Sequence, residues 1–436
     1  MEVILSFGDN VGQVIGLKSA IKKITARKIL DSRGNPTIEV DVVVGKDKAI
    51  GFGRAGAPSG ASKGKHEVVA FPNGGPDESV EMVKKIVTSK LLGQPADRQE
   101  EIDSLLHEID GTPNFSKLGG NAAVAISMAV AKAAASALGT PLYKYLGGEG
   151  ASHLPYPLGN VLGGGAHAGK MAPDIQEFLV ISVGSKKFAD AAFANTRVHK
   201  KVRAMLENKD KTFTGGKSDE GAWAPNLDSL QAMDVVSQAC EQVSDEVGFE
   251  IRPSLDVAAS SLYDETKQKY VYQREGKARD TGEQIEFIIN LVKTYKLFFV
   301  EDPLQEEDFD GFAELTRKVG KDCLICGDDL YVTNVARIQR GIKIGATNAV
   351  LIKPNQIGTL SDTLAAIKLA KKHNYAPTIS HRSGETTDET IAHLAVAWGC
   401  PIIKTGAVGG ERIAKLNELI RIEAELGIKA RMGRFR

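Results

Sequence analysis

Residues 23–43, KITARKILDSRGNPTIEVDVV, place two β-branched runs around the turn-rich pentapeptide Ser-Arg-Gly-Asn-Pro, and this pattern predicts a β-hairpin. Polar, glycine-rich sequence follows through GAPSGASKGK and FPNGGPDES. Helical patterns come next. The clearest is Asn121–Leu138, whose small apolar residues recur nearly all round and predict a buried helix. These elements describe a compact α+β domain over residues 23–150, preceded by an extension over residues 1–22 in which no fixed structure is expected.

Beyond residue 150 the rhythm changes. A short apolar run ends in an ionisable residue and is followed by an amphipathic helical stretch, six times over: SLD at Asp256, LFFVED at Glu301, LICGDD at Asp328, AVLIK at Lys353, PTISH at His381 and PIIK at Lys404. After the first interval these positions lie 23 to 28 residues apart, close to one βα unit each. Repeated βα units imply a parallel sheet. A closed barrel gathers the C-terminal ends of its strands around one mouth, whereas an open doubly wound sheet would not bring six of them together. The expected fold is therefore an α/β barrel over residues 151–436 with an N-terminal α+β domain.

A length of 436 residues agrees with two domains, because a single core rarely grows so large. Lys+Arg and Asp+Glu both number 55, so no global field draws in polyanions, and nucleic acid is not an expected partner. The first twenty residues have neither the basic start nor the long apolar run of a signal peptide or anchor, and no later segment is expected to span a membrane. Four cysteines do not make a disulfide framework in so long a chain, which points to a reducing, cytoplasmic setting. Cys323 and Cys326 form a CxxC pair, but three residues apart on a strand they face opposite sides and are read as buried thiols.

The barrel reading puts Asp256, Glu301 and Asp328 on one rim, where mutual repulsion is costly unless a cation or an acid proton relieves it. Oxygen ligands alone favour a hard ion such as Mg2+ over zinc. The plainer alternative is that each carboxylate caps the next helix or pairs with a lysine. On the following strands stand Lys353, His381 with Arg382, and Lys404. A lysine beside divalent ions and another cation should have its pKa pushed down from about 10.4, which makes Lys353 or Lys404 a candidate general base, although either could simply pair with a rim carboxylate. Together these parts suit removal of a weakly acidic proton next to a carboxylate. GGAHAGK, residues 164–170, fits a nucleotide-binding loop by letter only, since Met171 replaces the hydroxyl residue and Pro173 interrupts the helix that should follow. The glycines of GAVGGER, Gly406 to Gly410, either cradle a phosphate on backbone amides or make a tight turn.

From about Ile24 onward the chain resembles the enolases. DSRGNPTIEV, PSGAS, HAG…QEF, SDEG…APN, LDVAAS, VEDP, GDDL.VTN, IKPNQIGT, SHRSGET and IKTGA match that family's motifs in order. The resemblance implies an α+β lid domain on an eightfold barrel whose early strands depart from regular βα order. It also implies reversible dehydration of 2-phosphoglycerate to phosphoenolpyruvate. Lys353 would then remove the C2 proton and Glu220 would help the C3 hydroxyl leave, assisted by Glu177. Asp256, Glu301 and Asp328 would hold one Mg2+, and Ser62 would close over a second. His167, Gln176, Arg382, Ser383, Lys404 and His381 would hold the substrate, with His381 counted among the catalytic groups. A homodimer or higher homo-oligomer is implied as well. The loops around the mouth depart from the pattern: the segment after PSGAS reads Lys63, Gly64 and then Ala70, Phe71, Pro72, Asn73; His167 to Glu177 is one residue longer; and the loop after Lys404 is one residue short and lacks an arginine. Two alternatives thus stand beside the enolase reading: a paralogue acting on a related phosphonate or carboxylate, and a non-catalytic binding protein.

Overall fold

The computed structural model describes residues 19–46, 49–60, 63–169 and 171–435. Ser62 and residues 1–18 of the expected extension lie outside the described residues. The predicted hairpin is present as strands Ala20–Leu30 and Pro36–Lys46, paired antiparallel. The first strand therefore begins inside the span read as extension. Its turn forms because the Asp31 carboxylate accepts the backbone N–H groups of Arg33 at 2.9 Å and Asn35 at 2.8 Å, while Gly34 takes a φ of 76°.

A third strand, Ala49–Gly56, pairs with the second. The glycine-rich run AIGFGRAG is extended because helix Gly120–Ala137 lies directly on it: a Cβ on Gly51 would meet the Ala133 carbonyl at 2.1 Å, and one on Gly53 the Ala129 carbonyl at 2.0 Å. Small residues on both elements let the backbones approach, which explains the alanine-rich helix. That helix is long and apolar enough to cross a membrane by length and composition, contrary to expectation, but 83% of its 18 residues are buried inside the protein.

The second half is a closed barrel of eight strands: Tyr156–Gly163, Glu177–Ile181, Arg252–Asp256, Phe299–Glu301, Leu324–Gly327, Ala349–Ile352, Ala376–Ser380 and Ile402–Lys404. The six sequence runs are the third to eighth strands. The second strand runs antiparallel to both neighbours, and two helices, Phe188–Lys209 and Ser229–Val247, intervene before the third. Because of that reversal, Glu177 at the start of the second strand stands beside Asp256 at the end of the third, on the same mouth. Leu158, Leu179, Phe299, Cys326, Leu351 and Ile402 are among the side chains filling the barrel, while Cys323 packs in the outer core, so the CxxC thiols do part company. At the far end Phe435 closes on Tyr156 and Phe298, with ring centroids 4.7 Å from each.

Candidate active site

Of the twelve described residues assigned to the site from sequence, eleven line one cavity of about 30 Å³ at the C-terminal mouth of the barrel; Glu301 lies just behind it. A roomier cavity of about 500 Å³ opens between residues 29–32, Arg54 and residues 385–389, away from these groups. The small one holds the chemistry, because ionisable side chains from seven barrel strands and their loops converge there.

Lys404 is the hub. Its Nζ lies 2.7 Å from Glu301 Oε2, 2.8 Å from Asp256 Oδ2 and 3.2 Å from Glu177 Oε2. Burial opposes the charge, yet Asp256, Glu177 and Glu301 hold Lys404 well above its ordinary value. Glu301 goes the other way: burial and the neighbouring Asp256 push it well above the carboxylate range, and its Oε1 is buried with no hydrogen-bond partner among the described residues. Asp328 is bonded to Lys353 Nζ and accepts from Gln356 Nε2 at 2.9 Å. Burial favours the neutral amine of Lys353, but Asp328 outweighs it, so the lysine lies above its ordinary value. The expected depression is therefore not met while Asp328 faces the amine alone.

Across the mouth, Glu220 and Glu177 share His167, whose Nδ1 is 3.4 Å from Glu177 Oε1 and 4.0 Å from Glu220 Oε1. Burial disfavours the imidazolium, but these two carboxylates raise His167 to about 9. Burial and Glu220 raise Glu177. Glu220 itself is held well below the carboxylate range against its burial by His381, His167 and Arg412. His381 Nε2 is 3.5 Å from Glu220 Oε2, and burial pushes the imidazole down to about 4, so it faces Glu220 as an uncharged group at neutral pH. Asn160 Nδ2 donates to the same Glu220 oxygen at 3.2 Å.

The expected metal triad is split by lysine. Asp256 and Glu301 are register neighbours gathered on Lys404, and Asp328 is turned to Lys353. A tighter carboxylate group is Asp302, Asp328 and Asp329, with oxygens within 4.8 Å of one another. The fit to a divalent cation rests on the donors themselves. They are all oxygens, and Glu301 Oε1 is buried with no hydrogen-bond partner among the described residues, a lone pair that a hard cation would take.

Comparison with known proteins agrees with this geometry. The enolase N-terminal domain profile matches residues 21–146, and the enolase C-terminal TIM barrel domain profile matches residues 151–434. A protein named enolase from Methanothermobacter thermautotrophicus is 58% identical over 94% of this chain and 98% of its own length. The enolases of Methanosphaera stadtmanae and Natronomonas pharaonis are 59% and 54% identical, over 94% and 93% of this chain and 98% and 99% of theirs. The chain belongs to the enolase family. Such identity over nearly full length does not favour the paralogue reading, and it makes the altered mouth loops a variation within the enolases.

Several side chains of this enolase site escaped the sequence reading. Glu67, in the segment after the PSGAS loop, makes a two-pronged ion pair with Arg382 at 3.0 Å on each arm. Asp302 accepts the backbone N–H groups of Asp328 and Asp329 at 2.8 Å each and so sets their turn. Arg412 reaches His381 from behind. The paired acids of VEDP and GDDL signalled Asp302, but nothing local marked Glu67 or Arg412.

Proposed function

We propose that the protein catalyses the reversible dehydration of 2-phosphoglycerate to phosphoenolpyruvate and water, in the cytoplasm, with Mg2+ as cofactor and as a homo-oligomer. Asp256, Glu301 and Asp328 would hold the ion, with Ser62 available to a second, and bound Mg2+ would supply the positive charge that sustains a doubly charged intermediate. What carries the reading is the convergence, around one buried cavity, of a lysine, an acid pair and carboxylate ligands, with the unpartnered oxygen of Glu301 just behind them.

Lys353 takes the proton from C2. With Asp328 engaged elsewhere, burial, Arg382 and Lys404 are left to favour the neutral amine that this step needs. Glu220, ionised before substrate binds, takes up a proton from the protonated His167 and Glu177 beside it and passes that proton to the departing C3 hydroxyl, which leaves as water. Arg382 and Ser383 receive the phosphate, and Lys404, Gln176 and His381 orient the rest of the anion. Exchange of the C2 proton with deuterium in solvent water tests the division of labour. Lys353→Ala should lose both exchange and dehydration, whereas Glu220→Gln should keep exchange and lose dehydration. Exchange surviving in Lys353→Ala would remove the lysine from its role.

A further inference from the structure

We propose that Arg412 is a positioning residue that locks His381 as the neutral imidazole with its proton on Nε2, so that His381 acts as a fixed hydrogen-bond donor and not as a base. The catalytic consequence rests on the enolase reading above; the tautomer does not.

Arg412 is completely buried. Its Nη1 lies 2.8 Å from His381 Nδ1 and donates to the Arg382 carbonyl at 2.6 Å, while Nη2 donates to the Ser383 carbonyl at 2.6 Å and to the Asp219 carbonyl at 3.5 Å. A guanidinium has five N–H donors, no acceptor, and no accessible deprotonated form. His381 Nδ1 must therefore offer a lone pair, and the single ring proton must sit on Nε2. An imidazolium would set two N–H donors against each other at 2.8 Å. The tautomer of a histidine is ordinarily ambiguous, but a guanidinium on one ring nitrogen removes the ambiguity.

The proton so placed has work available. His381 Nε2 is buried with no hydrogen-bond partner among the described residues, and its nearest carboxylate oxygen is Glu220 Oε2 at 3.5 Å. That N–H is free to shorten onto Glu220 or onto a substrate oxygen arriving between them, and it keeps Glu220 charged until the site fills.

The glycine loop before Arg412 provides independent support. Gly406 and Gly409 have φ values of 74° and 112°, and a Cβ on either would stand 3.1 or 3.2 Å from Arg412 Cγ. Gly406 and Gly409 thus leave room for the arginine stem, whereas Gly410 faces open space. One guanidinium then fixes residues 381–383 from behind and reaches the carbonyl next to Glu220, so the orientation of the donor and of the phosphate arm depends on the same group.

Nitrogen NMR of protein labelled with 15N in its eight histidines reads the tautomer directly, with the His381 signals identified by their loss in His381→Gln. The wild-type protein should show an unprotonated Nδ1 and a protonated Nε2 for His381 at neutral pH. Arg412→Met should give mixed tautomers and a kcat lower by about 10- to 100-fold with a smaller change in KM, and Arg412→Lys should restore part of both. A wild-type His381 protonated on Nδ1, or an Arg412→Met protein with unchanged tautomer and unchanged kcat, would overturn the proposal. If the wild-type protein failed to turn over 2-phosphoglycerate, the enolase reading would fall while the tautomer was still measured.

Discussion

Replacing Lys404 by methionine keeps the length of the side chain and removes the ammonium from between Asp256, Glu301 and Glu177. Three carboxylates at 2.7 to 3.2 Å from that nitrogen would be left buried and mutually repelling. Breaking a buried ion pair by deleting one partner costs about 3–5 kcal/mol. At about 2 °C per kcal/mol for a large domain, the melting temperature should fall by roughly 6–10 °C in a chelator. The loss depends on pH with a definite sign. Glu301 is already above its ordinary 4.5, and removing Lys404 raises it further, so the folded variant binds a proton that the unfolded chain has released. Stability from that proton is complete below about 4.5 and drains away as pH rises, so the deficit should be smaller at pH 5.5 than at pH 8. Added Mg2+ should recover part of it, because a cation among the same carboxylates replaces the missing charge. Calorimetry of both proteins at the two pH values, with and without Mg2+, measures all of this. A deficit equal under all four conditions would refute the charge argument and leave only lost packing.

Three further outcomes follow from other parts of the molecule. His199 is stacked on Trp223 at 4.6 Å, and its burial lowers it from 6.5 to about 4, so the unfolded chain binds the extra proton between those values and stability falls as pH drops through that window. At about 1.36 kcal/mol per unit, His199→Phe should abolish roughly 3 kcal/mol of acid sensitivity in denaturant titrations, and an unchanged pH slope would contradict it. Gly53→Ala drives a methyl into the Ala129 carbonyl at 2.0 Å, so the N-terminal domain should lose about 3 kcal/mol or more by hydrogen exchange, a prediction that fails if its protection is unaltered. Glu67→Gln loosens the two-pronged hold on Arg382 and should change KM for the phosphorylated substrate more than kcat; an effect on kcat alone would place Glu67 elsewhere in the reaction.

The barrel was legible because its last six strands each deliver an ionisable side chain from their final residue or the one just after it, and a parallel sheet brings such ends together whatever the intervening helices do. The second strand did not follow the pattern of the others, since its apolar run FLVI comes after the ionisable residue and it delivers Glu177 from its beginning; only the QEF resemblance reached that residue. The third strand of the N-terminal domain was hidden because AIGFGRAG has the composition of a turn, and its glycines answer to helix residues Ala129 and Ala133, more than seventy positions away in sequence. Arg412 opens a helix, where a lone arginine reads as a solvated cation. Its burial depends on glycines beside it and a histidine thirty-one residues earlier, a relation set by the closure of the barrel.

The central claim is that this mouth performs metal-assisted abstraction of a proton alpha to a carboxylate. Its most direct test follows the absorbance rise as 2-phosphoglycerate becomes phosphoenolpyruvate on purified protein with Mg2+, beside a Lys353→Ala control and a chelator control. The account predicts robust turnover that disappears in both controls. No turnover by a folded protein that binds Mg2+, or turnover that persists in Lys353→Ala, would contradict it.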